Sequence, residues 1–303
     1  MSIGFDAYDR RHGAFVAVRF RGDPLSEALN SEKSATTTPS GPALAVDGVC
    51  VNFGGIMALR DVSFALRSGE VSGLIGANGA GKTTLFDVIS GVRSPTAGRV
   101  ELAGADVTRW SPHKRARRGM RRTFQRLQLF GWLSIEENLL VATEWRGGGG
   151  GVLADLVGSP TRRRRETERR ERASQVLEMC GLSGLRDRSA AGLPIGTARL
   201  VELARTLMDE PAVLLLDEPT SGLDHAEAER FGTLVADVAE RTGTAVLLVE
   251  HDVPFVMGLC SRVLVLHLGE LIADGPPDEV RNDPQVHDAY LGTSASVAVA
   301  HGH

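Results

Sequence analysis

From Ala43 onward apolar positions recur at Leu44, Val46, Val49 and Val51, and again at Val62, Phe64 and Leu66, a pattern that predicts antiparallel strands with one buried face. Three short unbroken apolar runs follow: Val71 to Ile75, Ala212 to Leu216 and Ala245 to Val249. Runs of this length read as strands covered on both faces, as in a parallel sheet. Leu85 to Ile89 read as a helix between the first and second of them. Between Gln125 and Ala212 the pattern turns helical and charged, and it ends in a predicted helix from Ala198 to Leu207 with Glu202 and Arg205 on its polar face.

Several stretches carry no such pattern. Residues 1–42 are predicted to form a flexible N-terminal extension, because Ser31 to Gly41 are rich in Ser, Thr and Pro without period. Phe15 to Phe20 read equally as a small strand or as coil. The run Gly147 to Gly151 cannot sustain a helix. Arg162 to Arg172 are dense in arginine, a candidate contact for anionic lipid or nucleic acid. The interspersed Glu166, Glu168 and Glu171 neutralise them at helical spacing, which favours a solvated face instead. Residues 293–303 are small and polar and read as a frayed tail.

Composition narrows the class. The 303 residues suit one large or two small domains, and 42% hydrophobic content suffices for a sizeable core. No apolar stretch approaches the ~18 residues that span a bilayer. Asp6, Asp9, Arg10 and Arg11 stand where a secretory signal needs an apolar core, so no export signal is expected. Cys50, Cys180 and Cys260 lie far apart, as expected of free thiols in a reducing cytosol. A net charge of -4 gives no global electrostatic reason to bind nucleic acid.

The candidate chemistry sits at the ends of the apolar runs. Gly76, Ala77, Asn78, Gly79, Ala80, Gly81, Lys82, Thr83 and Thr84 follow the first run and match G-x-x-x-x-G-K-[ST], a phosphate-binding loop. Glycines let backbone N–H groups face phosphate oxygens, Lys82 reaches the β- and γ-phosphates of ATP, and the Thr83 hydroxyl can ligand Mg²⁺. The second run ends in Asp217 and Glu218, the third in Glu250, His251 and Asp252. Asp217 is expected to hold Mg²⁺ through water, and Glu218 to polarise the attacking water. Singly, an acidic pair after a strand is a solvated strand end and a lone histidine is structural. Three such ends on one sheet edge favour a catalytic site.

With these motifs in order, residues 43–292 resemble the nucleotide-binding subunit of an ABC transporter. Gln125 in Arg122-Thr123-Phe124-Gln125 matches the Q-loop, and Ser221-Gly222-Leu223-Asp224 matches the D-loop. The resemblance makes Gln125 a metal ligand and His251 the switch histidine. It also makes Phe53 the aromatic that stacks on adenine. Arg121 to Gln125, Leu129-Phe130, Glu137-Asn138, Val249 to Asp252, Glu279-Val280, Asp283-Pro284 and Ala289 to Gly292 further resemble the branched-chain amino acid importers. Urea importers and a lipopolysaccharide exporter ATPase share much of that texture.

One motif departs from the family. Where the signature reads Leu-Ser-Gly-Gly-Gln, this chain has Leu193, Pro194, Ile195, Gly196 and Thr197. The family's serine bonds the γ-phosphate of the partner subunit's ATP, and proline offers neither hydroxyl nor N–H. Proline is also a plain helix-start residue. The expectation is a half-site that closes on nucleotide yet contributes less to hydrolysis.

The resemblance implies an α/β P-loop ATPase core with an antiparallel β subdomain and an inserted helical subdomain at about 134–208. It implies one half of a two-ATPase motor, and the altered signature suggests a heterodimer with a sister ATPase. It further implies membrane permeases contacting a groove near Phe130, Gly131 and Trp132, an extracytoplasmic solute-binding protein, and a place on the cytoplasmic membrane face. For Trp132, an ordinary buried aromatic is the competing reading. The competing classes are a soluble ABC ATPase of DNA repair or translation, which needs heptad arms or a second cassette, and an inactive scaffold subunit, which would have lost Lys82, Asp217 or Glu218.

Overall fold

The computed structural model describes residues 41–143 and 160–289, with side chains from Arg164 onward in the second stretch. The predicted N-terminal extension up to residue 40, the glycine run at 147–151 and the tail at 293–303 lie outside the described residues.

Two sheets organise the chain. The first is antiparallel, in the order β2-β1-β4-β5, formed by β1 (Leu44–Phe53), β2 (Ile56–Leu66), β4 (Ala97–Leu102) and β5 (Ala105–Asp106). Its predicted alternation holds with interruptions, since register shifts near Val46, Val49 and Val51 break the pairing of β1 with β2. The second sheet has the order β10-β9-β3-β8-β7-β6, built from β3 (Val71–Ile75), β6 (Met120–Arg122), β7 (Val213–Asp217), β8 (Ala245–Val249), β9 (Arg262–His267) and β10 (Glu270–Gly275). All its pairings are parallel except β10 with β9.

β3 and β8 are buried at every residue, and β7 at all but its last. The reason is coverage from both sides. On one face the first sheet and α1 (Lys82–Ser90) bury Leu74, Leu215 and Leu247; on the other α5 (Ile195–Leu207) and α6 (His225–Thr242) bury Ile75, Leu214, Leu216 and Leu248. Between β6 and β7 in sequence lie α3 (Ile135–Ala142), α4 (Pro160–Met179) and α5, which pack on one another. The remaining helices are short: α2 (Pro112–Arg117), α7 (Val253–Leu259) and α8 (Pro277–Arg281).

Local chemistry fixes the helix ends. Ser134 with Glu137, and Asp224 with Glu227, form reciprocal capping boxes at the starts of α3 and α6. Pro194 is the N-cap of α5. At the other end of α1, the Arg115 guanidinium is fully buried and donates to the carbonyls of Val88 at 2.7 Å, Ile89 at 2.5 Å and Thr108 at 3.0 Å. It thereby supplements the capping of the last carbonyls of α1, that of Val88 being shared with the Gly91 amide at 3.2 Å. Burial pushes its pKa down to about 10, so it remains a cation at neutral pH.

Two expectations about charged helices need correction. Glu202 is not on a solvated face of α5. It is buried and paired with buried Arg199 at 3.0 Å, because that side of α5 packs on the segment carrying Gln125. On α4, Arg164 and Arg170 do pair along the helix with Glu168 and Glu166, both at 2.9 Å. Arg169, which also lies 3.4 Å from Glu166, and Arg172 turn inward, donating to the carbonyls of Leu140 at 2.6 Å and Leu207 at 3.0 Å, since α4 lies between α3 and α5 and only part of its surface meets water.

Candidate active site

The parallel register sets the ends of three strands level. Leu74 pairs with Val249, and Val249 with Asp217, so the loops after β3, β7 and β8 leave the sheet side by side at its C-terminal edge. That is where open α/β sheets build their sites.

The loop after β3 depends on glycine. Gly79 and Gly81 have φ of 81° and 108°, in the region that side chains resist. A Cβ on Gly81 would lie 2.7 Å from the Ala58 carbonyl, and one on Gly76 would lie 2.2 Å from that of Leu266. The loop is thus pressed onto β2 and β9 from behind, while Gly79 faces open space. Ala80 is buried, whereas Asn78 and Thr83 are exposed. Lys82, Thr83 and Thr84 form the first turn of α1, whose amides have no intrahelical acceptor and carry the positive end of the helix dipole. The Lys82 ammonium is buried and donates to the carbonyls of Gly76 at 2.7 Å and Ala77 at 3.1 Å. Desolvation pushes its pKa down, and the charge of Glu218 pulls it partly back. This is an anion cradle.

Glu218 follows β7 in a left-handed conformation, φ 47°, rare for a side chain of its size. Its amide donates to the Val249 carbonyl at 2.9 Å, tying it to β8. Its carboxylate is held from two sides: Gln125 Nε2 donates to Oε2 at 2.6 Å, and His251 Nε2 lies 2.7 Å from Oε1. Asp217 receives Arg122 at 3.0 Å. Among the described residues no three His, Cys, Asp or Glu side chains gather as a metal cluster. A divalent ion here would therefore draw on phosphate oxygens as well as on Thr83, Gln125 and Asp217, which suits the oxygen-loving, water-retaining Mg²⁺.

Phe53 ends β1 as a residue 41% exposed, with the Arg93 guanidinium 4.3 Å from its ring centroid. The signature side is assembled separately. Ile195 abuts Gly222, and Gly196 abuts the Glu227 carboxylate, so closely that a Cβ on either glycine would overlap them. Asp224 accepts from the Glu227 amide at 2.8 Å. Arg199 joins the two sides by donating to the Gln125 carbonyl at 3.0 Å. Trp132 is 82% exposed, which removes the buried-aromatic reading; its ring centroid lies 5.7 Å from that of Phe130.

Sequence reasoning missed two residues. Glu250 accepts from the Thr220 amide at 2.8 Å and hydroxyl at 2.6 Å, fixing the turn that follows Glu218. Its place at the end of an apolar run was the available signal. Arg122 was read only as part of a motif.

Residues 59–221 match the family model described as ABC transporter. The chain belongs to the ABC transporter ATPase family. A second model, described as branched-chain amino acid ATP-binding cassette transporter, matches residues 270–296. Over 253 residues the chain is 40% identical to the high-affinity branched-chain amino acid transport ATP-binding proteins LivG of Salmonella typhimurium and BraF of Pseudomonas aeruginosa, covering 84% of this chain and 99% of each relative. The lipopolysaccharide export system ATP-binding protein LptB of Acidithiobacillus ferridurans is 37% identical over 236 residues, 78% of this chain and 91% of that protein. Among solved structures, the ADP conformation of an ATP-binding cassette of an ABC transporter superposes with a TM-score of 0.72 at 31% identity, covering 84% of this chain and all of that one. As an ABC ATPase the chain binds and hydrolyses ATP to drive transport, and among the described residues no helix is long and apolar enough to cross a membrane.

Proposed function

We propose that this chain is the ATP-hydrolysing subunit of an importer of branched-chain amino acids, seated on the cytoplasmic face of the membrane against permease subunits. The observation that carries the catalytic half is the Glu218 carboxylate, held between Gln125 and His251 beside the Lys82 cradle. Residues 76–84 wrap the phosphates, Lys82 neutralises the β- and γ-oxygens, and Phe53 stacks on the base. Thr83, Gln125 and Asp217 would hold Mg²⁺, which would supply charge neutralisation when bound.

Glu218 takes the proton of the water that attacks the γ-phosphorus, and ADP departs as leaving group. His251 orients the carboxylate.

Residues 194–197, with Asp224, face the nucleotide of a sister ATPase in a heterodimer, and the half-buried Phe130 and Gly131 with the exposed Trp132 receive a permease helix. An extracytoplasmic binding protein delivers the solute. The match of residues 270–296 favours amino acids over the lipopolysaccharide system of the LptB relative. The test is ATP-driven uptake of labelled leucine, isoleucine or valine by proteoliposomes holding the assembled transporter. Uptake that fails with Lys82→Ala supports the reading; a complex that moves urea or lipid and none of these amino acids overturns it.

A further inference from the structure

Arg122 joins the two halves of the phosphate site in a way that the motifs do not describe. It ends β6, the strand next to β7, and its side chain is 10% exposed. One guanidinium nitrogen donates to Asp87 Oδ1 at 2.7 Å and to Ser90 Oγ at 3.1 Å on α1; the other donates to Asp217 Oδ2 at 3.0 Å. The Phe86 and Phe124 ring centroids lie 5.6 Å and 5.4 Å from the guanidinium carbon. Its Nε is buried with no acceptor among the described residues.

Two carboxylates mostly withdrawn from water, Asp87 and Asp217, thus share one cation. Two like charges so placed repel each other and attract any available cation. The arginine is always charged and its planar fork serves both at once.

We propose that Arg122 is a positioning residue that stands in for the metal beside Asp217 until a nucleotide delivers one. It fixes the Asp217 side chain against α1 and keeps the carboxylate pair from collecting divalent ions in the absence of nucleotide, so that metal and ATP arrive together. This inference rests on the reading of Asp217 as the metal-side carboxylate.

The experiment uses the full chain without nucleotide and Mn²⁺ as probe, with free Mn²⁺ followed by electron paramagnetic resonance. Wild type and Arg122→Lys should leave micromolar Mn²⁺ free. Arg122→Met should bind it, because two carboxylates are left with no cation between them. Arg122→Gln keeps a donor but no charge and carries the same expectation should the Met variant fail to fold. In the assembled transporter, the Met variant should lose about tenfold or more in kcat with KM for ATP little changed, and Lys should restore part of it. A neutral variant that binds no Mn²⁺ without nucleotide, or a wild type that binds as much, overturns the proposal. Asp217→Asn separates the two claims: unchanged affinity of the wild-type background for Mn²⁺-nucleotide after that substitution would remove the metal role of Asp217 itself.

Discussion

His251 and Glu218 meet at 2.7 Å across the ends of two neighbouring parallel strands, with Gln125 closing on the other carboxylate oxygen at 2.6 Å. The Glu218 carboxylate is therefore held by residues from two other segments. Glu218→Gln should keep nucleotide binding, since neither the cradle nor Lys82 is touched. Hydrolysis at this chain's own phosphate site should fall about 100-fold or more, because an amide cannot take the proton. Single-turnover assays on the assembled transporter check this, and undiminished turnover would remove Glu218 from the chemistry.

Lys82→Ala removes the buried cation of the cradle. Losing one partner of a buried charge pair costs about 2–5 kcal/mol, so ATP affinity should fall at least about tenfold while the fold persists. Calorimetric titration with ATP reads the change, and equal affinities would contradict the phosphate-loop assignment.

Pro194→Ser tests the altered signature. A hydrogen bond to a charged group contributes about 1.5–3 kcal/mol, and the new hydroxyl would act on the sister subunit's ATP. With Glu218→Gln in this chain and the sister's own catalytic glutamate intact, only that site turns over. The residual rate should rise. An unchanged or lower rate means that proline serves this half-site as well as serine does.

Arg199→Met should destabilise the protein by about 3–5 kcal/mol, because it removes the cation paired with buried Glu202, which keeps only the Gln128 amide and the charge of Arg205. Burial already pushes the Glu202 pKa up, with Arg199 holding it partly down. Replacing both residues by apolar ones of similar size should recover most of the loss. Urea denaturation of the two variants against wild type measures it.

The thiols of Cys180 and Cys260 are each pushed up to about 12 by burial. A raised pKa lowers the thiolate fraction at any pH below it, so at pH 8 only about one in ten thousand of either is reactive. A thiol reagent should therefore modify Cys50 alone in the folded chain, and all three cysteines in denaturant. Rapid reaction of a second thiol at that pH would contradict the burial.

How far the sequence went depends on how local each feature is. The phosphate loop, the strand ends bearing Asp217 and Glu218, and the proline start of α5 were legible because each is written within a few consecutive residues. The burial of Glu202 was not, since its surroundings come from the segment around Gln125, far away in the chain. Nor was the pairing of Arg122, whose partners Asp87 and Asp217 lie 35 and 95 residues away. Periodicity sorts residues into faces, but it does not say which polar face a later segment will cover.

The left-handed backbone at Glu218 sets activity against stability. Holding a non-glycine residue there costs of the order of 1–3 kcal/mol, a sizeable share of a domain's net stability. Glycine would relieve that cost and remove the carboxylate proposed as the base. Selection for a sturdier protein and selection for a working motor thus pull in opposite directions at one residue. A stabilised variant that relaxes this turn would be a better-folded and poorer enzyme.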